Sequence, residues 1–417
     1  MVVSIIFDVI TGSKQGNDGD FNDRLNHRYS AIVLAFCAIF AMSTQLIGSP
    51  LNCWAPGNFH PGWVMYADNV CFVNKTYYIA DEDHVTLARK EGDTVYVEFY
   101  QWYPVILVLM GVLFYAPQMF WTGMLGSYEI DMNKMVNTVD NCELIMKPED
   151  RKNSLMDLAG FLDKHLEAKK RLSDINKKNV NIVSKALFKC RDKDSGASMG
   201  TYYLIVKIAM VVNVVVQIYG LNWIIGPGTW KWGFEVLGCI LSGQQWTDTW
   251  RFPMTAFCDF QRHEAMGTRH QETVQCVLGV NLYNEKIFLF VWCWLYFMLV
   301  MNLMSVFNWI STLFASNSRF RWIEKHILMG NRTKGPDQVT YIQENEENRR
   351  ALWAFVMSFL KPDGVFMLRL IAANTTSINM TDLICNLWHL YTRKDRVKER
   401  FPKLPNITSM EEHTKTK

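Results

Sequence analysis

Hydrophobic positions in this chain collect in four long blocks, separated by polar segments that carry nearly all the charge. The clearest block follows Val95. Between Glu98 and Glu129 thirty residues pass without a charge. At a rise of about 1.5 Å per residue, roughly 20 of them cross a hydrocarbon core of about 30 Å. Tyr100, Trp102 and Tyr103 stand at the entry, Phe120 and Trp121 at the exit, where aromatic rings meet the two membrane interfaces. The pattern predicts a spanning helix over 103–123, bent or ended by Pro117. Residues 29–67 are also uncharged; the apolar run 31–47 stops at Gly48-Ser49-Pro50, which predicts a span over 29–48. A third span, 201–223, holds one charge, Lys207, placed to snorkel to the interface. The fourth, 287–313, lies within thirty-two uncharged residues between Lys286 and Arg319.

The intervening segments differ in kind. Residues 1–28 are mixed, and Asp8 interrupts the apolar start too early for a cleavable signal peptide. Two loops, 49–102 and 224–286, are polar and aromatic; residues 94–99 alternate as a strand does. The segment 124–200 holds fourteen Lys/Arg and twelve Asp/Glu. Within it Leu155, Leu158, Phe161, Leu162 and Leu166 recur at helical spacing, predicting one or two amphipathic helices across 154–188. The tail 314–417 predicts helices over 338–360 and 376–391, a turn at Lys361-Pro362-Asp363-Gly364 and a disordered last fifteen residues. The expected fold class is therefore mainly α and membrane-bound: four transmembrane helices, a small disulfide-stapled α/β extracellular part and a helical cytosolic part.

Charge sets the orientation. Residues 1–28, 124–200 and 314–417 together carry 34 basic against 27 acidic residues, whereas the two polar loops carry 8 against 13. The positive-inside tendency puts both termini and the middle segment in the cytosol and the two loops outside. A net charge of +3 gives no reason to expect a nucleic-acid partner. Both outer loops hold cysteines eighteen apart, Cys53 with Cys71 and Cys258 with Cys276. On the oxidising side these predict disulfides, in any of three connectivities. Loops tied together make a stiff platform, better suited to docking than to catalysis. Cys239 is a fifth outer cysteine, free or buried against the membrane. Asn74 heads an Asn-Lys-Thr glycosylation acceptor on the same side.

Catalytic patterns are missing. There is no phosphate-cradling glycine loop, no zinc-spaced Cys/His set and no nucleophile elbow, and His263-Glu264 lacks the second His of a zinc protease motif. Asp18, Asp20 and Asn22 start like a calcium loop, but Asp23 takes the place of the required Gly and Tyr29 that of the bidentate Glu. No metal site and no cofactor are expected. Asn213 and Gln217 share one face of the third span, as a helix-to-helix bond or as pore lining. Four spans leave little room for a wide pore within one chain, so a pore would form between subunits in a ring.

Ordered motifs add a resemblance. Tyr100-Gln101-Trp102-Tyr103-Pro104, Asp23-Arg24-Leu25-Asn26, the stretch Gly48 to Pro56, Cys71 with Thr76-Tyr77, Phe252-Pro253, Cys258-Asp259-Phe260, Cys276-Val277-Leu278, Asn281 to Lys286, Asp363-Gly364-Val365-Phe366 and Leu387-Trp388 are similar to those of the innexins, the invertebrate gap-junction proteins distantly like pannexins. Tyr103 in place of Val, Phe99 in place of Tyr and the extra Cys239 depart from that pattern. The resemblance implies an octameric ring of like or mixed innexin subunits in membrane lipid, docking with a hemichannel on the apposed cell and passing ions and small molecules. It implies disulfides Cys53–Cys276 and Cys71–Cys258. It makes the N-terminal residues, Met1, Val2, Val3, Ser4 and Asp8 among them, pore-lining candidates, and places the protein at cell–cell junctions of the plasma membrane. An undocked plasma-membrane hemichannel and an adhesion scaffold are the alternatives.

Overall fold

The computed structural model describes residues 19–400 except 48, 56, 58, 75, 80–93, 98–99, 128–130, 143–146, 177–197, 227, 244–250, 264–266, 268 and 333–345. The expected disordered end and the helical expectation over 177–188 and 338–345 lie outside the described residues. Two compact units are formed, one of Asn22–Met119 and Ile208–Met304, the other of residues 19–21, Phe120–Lys207 and 305–400.

The first unit holds most of four long apolar helices: α1 (Phe21–Leu46, with a π turn at Leu25–Ser30), α3 (Tyr103–Ser127), α6 (Ser198–Ile225) and α8 (Gly279–Phe314). Between α1 and α3 come β1 (Asn52–Trp54), α2 (Pro61–Val73), β2 (Thr76–Ile79) and β3 (Thr94–Val97). Between α6 and α8 come α7 (Thr229–Leu241), β4 (Thr255–His263) and β5 (Arg269–Val277). Strands from both loops share one antiparallel sheet in the order β1-β5-β4-β2-β3. Its packed face follows the two-residue period of a strand: Ala256, Cys258 and Phe260 on β4, Val274 and Cys276 on β5, are buried. Helix α2 covers this face with Ala67 and Cys71. It starts where Pro61 takes the first helical position and His60 Nδ1 accepts the Gly62 N–H at 3.3 Å.

The long helices outrun the expected spans, most of all α8, which begins at Gly279 rather than 287. A helix has no reason to stop at the bilayer surface while its next turn finds protein. Asn281, in that extra turn, is buried and donates its Nδ2 to the Pro253 carbonyl at 2.9 Å.

The second unit is a helical bundle: α4 (Met132–Asn141), α5 (Pro148–Asn176), α9 (Ser316–Arg332), α10 (Glu346–Ala354, running on through the π turn Phe355–Leu360), α11 (Lys361–Ala372) and α12 (Ser377–Arg400). On α5, Leu155, Leu158, Leu162 and Leu166 are buried, but Phe161 is 52% exposed and stacks on His165 at 6.4 Å. The turn expected over Lys361–Gly364 is narrower than that. Only Lys361 leaves the helix, at φ +55°, and the chain is helical again at once. The proline ring explains this: Pro362 lacks the N–H that an unbroken helix would use, yet its fixed φ suits the first turn of a new one.

Five helical runs among the described residues are long and apolar enough to cross a bilayer: Phe21–Leu46, Tyr103–Gly126, Met199–Ile225, Gly279–Phe314 and Asn348–Ala372. The last exceeds the four expected.

Candidate functional site

The head of the first unit is built around four cysteines. The β1–β5 register sets Cys53 directly opposite Cys276, and the two are bonded. Cys71, in the last turn of α2, is bonded to Cys258 on β4. The sulfurs of Cys53, Cys71 and Cys276 lie within 4.8 Å of one another, so the two bridges are neighbours. Sulfurs held in disulfides offer no thiolate to a metal. Cys239, on α7, is a free, half-buried thiol.

Side chains lock the bridges from outside. Asp68 Oδ1 accepts the Cys53 N–H at 2.7 Å, tying α2 to the edge strand. Asp259 Oδ1 accepts from Tyr77 at 3.1 Å and Thr273 at 2.7 Å. The Phe72 carbonyl, one of the last four that a helix leaves unpaired, accepts from the Tyr100 hydroxyl at 2.9 Å and from Gln101 Nε2. The Tyr-Gln pair that opens the second span therefore closes α2 beside Cys71. Burial pushes the Tyr100 phenol up. The head also shows apolar surface, with Trp54 78% exposed and Met65 and Tyr66 exposed. Asn74 caps α2, is exposed, and donates to the Asp259 carbonyl at 3.3 Å.

Helix α7 has no counterpart in the sequence pattern, where 224–286 reads as a polar, Trp-rich loop. Its glycine carries the packing: a Cβ at Gly233 would fall inside the Trp292 ring of α8. Trp292 Nε1 donates to the Thr229 carbonyl at 3.1 Å, and Tyr296 donates to that of Trp230 at 2.8 Å. Aromatic and small residues mixed with a short polar loop hide the helical period; the recurrence of apolar pairs from Trp230 to Leu241 is the available signal.

Several polar residues in the long helices find partners. Gln217 Nε2 donates to Asn213 Oδ1 at 3.2 Å and, across to α3, to the Met110 carbonyl at 3.3 Å, a helix-to-helix bond. Asn302 Oδ1 accepts from Asn22 at 2.8 Å and Asn26 at 2.6 Å, and Asn302 Nδ2 returns a bond to Asn26 Oδ1 at 3.0 Å.

In the second unit, Lys207 does not snorkel. It is 1% exposed and forms an ion pair with Asp20 at 2.7 Å. Asp20 Oδ2 accepts the Trp309 Nε1–H at 2.8 Å, and the Gly19 carbonyl accepts from Asn374 at 2.8 Å. The residues just after the N-terminal segment are thus pinned to α6, α8 and the turn after α11. Met1, Val2, Val3, Ser4 and Asp8 lie outside the described residues. Asp363 Oδ1 accepts the Gly200 N–H at 3.1 Å, capping the first turn of α6 from α11. Phe366 packs on Tyr203 at 5.1 Å and on Trp309 at 5.3 Å. The Asp-Gly-Val-Phe motif of the tail is therefore a clamp on the ends of these helices.

These features define a helical membrane protein whose two large loops are cross-linked into one sheet. The innexin family profile matches residues 19–391. Innexin unc-9 of Caenorhabditis elegans is 30% identical over 375 residues, covering 90% of this chain and 92% of that protein. Innexin-12 of the same species is 28% identical over 406 residues, 93% and 92% of the two chains. Innexin-6, also of that species, is 31% identical over 293 residues, 70% and 71%. The chain belongs to the innexin family. Innexins are gap-junction channel proteins of the plasma membrane and not enzymes, and this chain is a subunit of such a channel.

Proposed function

We propose that this chain crosses the membrane four times, with both termini and the bundle of α4, α5 and α9 to α12 in the cytosol and the sheet-bearing head outside. The helix Asn348–Ala372 is the one left out. Its apolar window is 56% buried in protein, against 28–39% for the other four. Lys361, Asp363 and Arg369 lie in it, and the chain breaks at Lys361; each charge at a bilayer centre costs about 2.5–3.5 kcal/mol. Subunits assemble, alone or with other innexins, into an octameric ring around an axial pore entered past residues 1–8. Two rings on apposed cells dock through the heads, and ions and small molecules pass between the cells.

The observation that carries the docking role is the pair of bridges Cys53–Cys276 and Cys71–Cys258, which makes a single rigid sheet from two loops. The exposed Asn74, which heads a sequon on that head, favours the second reading, an undocked hemichannel, because a glycan there would hold two heads apart. Dual whole-cell recording from paired cells expressing this chain alone separates them. Junctional current that disappears in Cys53→Ser is the expected result. Surface protein with no junctional current, but with current in single cells, refutes homotypic docking and selects the hemichannel; surface protein silent in both leaves adhesion. Sidedness is read by the mobility shift of Asn74 with glycosidase and by its loss in Asn74→Gln.

A further inference from the structure

A cleft of about 650 Å³ opens in the second unit between α9 and α10, within the roughly 300–1,000 Å³ of small-ligand sites. Arg321 and Glu324 of α9 face it from one wall, Arg349 and Arg350 of α10 from the other. Phe320 and the 43%-exposed Trp353 line it as well, with ring centroids 5.2 Å apart. Among the described residues its lining is mostly basic, with three guanidinium groups and one carboxylate. Arg321 and Arg349 form no ion pair with a described residue, so Glu324 does not neutralise them.

We propose that this cleft binds a phosphomonoester-bearing headgroup. Guanidinium forks match phosphate oxygens two by two. A phosphomonoester carries about −1.5 to −2 at neutral pH, enough to meet the guanidinium groups of Arg321 and Arg349 together, where a single carboxylate would not. Aromatic walls suit the apolar face of a polyol ring or the start of an acyl chain. Position argues for a lipid as the source. Helix α9 begins at Ser316, two residues after α8 ends at Phe314. If 287–313 is the fourth span, the cleft lies about one to two helical turns beyond the hydrocarbon, at the depth of the inner-leaflet headgroups. The choice of lipid over a free phosphate ester thus rests on the four-span reading; the site itself does not.

The test uses the full chain in detergent, where both faces are open, so binding does not depend on which side the cleft faces. Dioctanoyl phosphatidylinositol phosphate, inositol bisphosphate and dioctanoyl phosphatidylcholine are each titrated by thermophoresis. Saturable binding of the phosphoinositide, at least ten-fold weaker in Arg321→Gln/Arg349→Gln, several-fold tighter in Glu324→Gln and absent for phosphatidylcholine, is the expected result. Ten-fold preference for the acylated probe supports the lipid source, and equal binding of inositol bisphosphate supports the free ester. Wild type that binds neither phosphate probe, or binds them as the double-arginine variant does, overturns the proposal. A cleft that binds while glycosidase mapping reverses the sidedness overturns only the four-span orientation.

Discussion

Asp20→Asn is the sharpest single perturbation. It leaves shape almost unchanged and removes the carboxylate that faces Lys207 at 2.7 Å. Lys207 is 1% exposed, so its ammonium is left in protein with no compensating charge from that partner. Breaking a buried ion pair from one side costs about 3–5 kcal/mol. For a unit of roughly 200 residues, at about 2–4 °C per kcal/mol, that lowers the melting temperature by about 6–20 °C. Lys207→Met should cost less, because the stranded Asp20 side chain is 16% exposed and keeps the Trp309 N–H. The double variant Asp20→Asn/Lys207→Met should recover most of the loss, since an apolar replacement for a buried pair is often neutral. Thermal unfolding of detergent-purified protein, read by fluorescence size exclusion, gives all four corners of the cycle. The pair also holds the base from which the N-terminal segment departs, so Asp20→Asn at the cell surface should carry reduced junctional conductance. A melting shift under about 2 °C in Asp20→Asn, with the cycle additive, would refute the argument.

Packing and burial supply two more tests. Gly233→Ala drives a methyl into the Trp292 ring, and overpacking of this kind costs about 1–3 kcal/mol; folded yield after detergent extraction should fall, whereas Gly238→Ala, which meets nothing within 4 Å, should leave it unchanged. His326 is buried, and burial, with Lys325 beside it, holds its pKa below the usual 6.5. The unfolded chain therefore takes up the proton first: the His326 contribution is complete above about pH 6.5 and is lost as pH falls below it. Melting temperature between about pH 7.5 and 5.5 should decline more steeply in wild type than in His326→Gln, and equal slopes would exclude the buried neutral imidazole. Its tautomer is fixed by its partner: Thr381 spends its O–H on the Ser377 carbonyl at 2.8 Å, so its oxygen accepts, and His326 Nδ1 donates, at 3.0 Å.

The long apolar blocks were legible because crossing a bilayer takes length and absence of charge, and both are written in one dimension. The bounds were not. Asn281 shows why: the turn before the fourth block is polar by composition and still helical, since its amide is satisfied by the Pro253 carbonyl. Cys53, Cys71, Cys258 and Cys276 were legible as a bonded set, but the residues alone allowed three connectivities. Sheet register decides between them, and register depends on how two distant loops align, with Cys53 across from Cys276, 223 residues later. Helix α7 was missed because its period is set by contact with α8, through a glycine and a ring, rather than by a polar face toward water.

Lys207 shows the same limit from the other side. One charge in a span invites a local explanation, and snorkelling is the local one. The chain instead supplies the counter-charge from Asp20, 187 residues earlier, and a second anchor from Asn374 in the tail. Hydrocarbon makes this the stable solution. A polar group there is worth keeping only where protein satisfies it, and the satisfying residue need only be close in space. Four of the polar residues in these helices, Asn22, Asn26 and Asn302 in one unit and Lys207 in the other, make bonds that involve a residue at or near the start of α1, whereas Gln217 bonds to Asn213 and the Met110 carbonyl. Packing between apolar faces would let α1 slide or rotate at little cost, as lipid solvates such faces equally well. Directional bonds at its start do not. The start of α1 is therefore held by a few of the polar residues in these helices, and substitutions at these residues should alter conductance more than the same number of apolar changes elsewhere in the long helices.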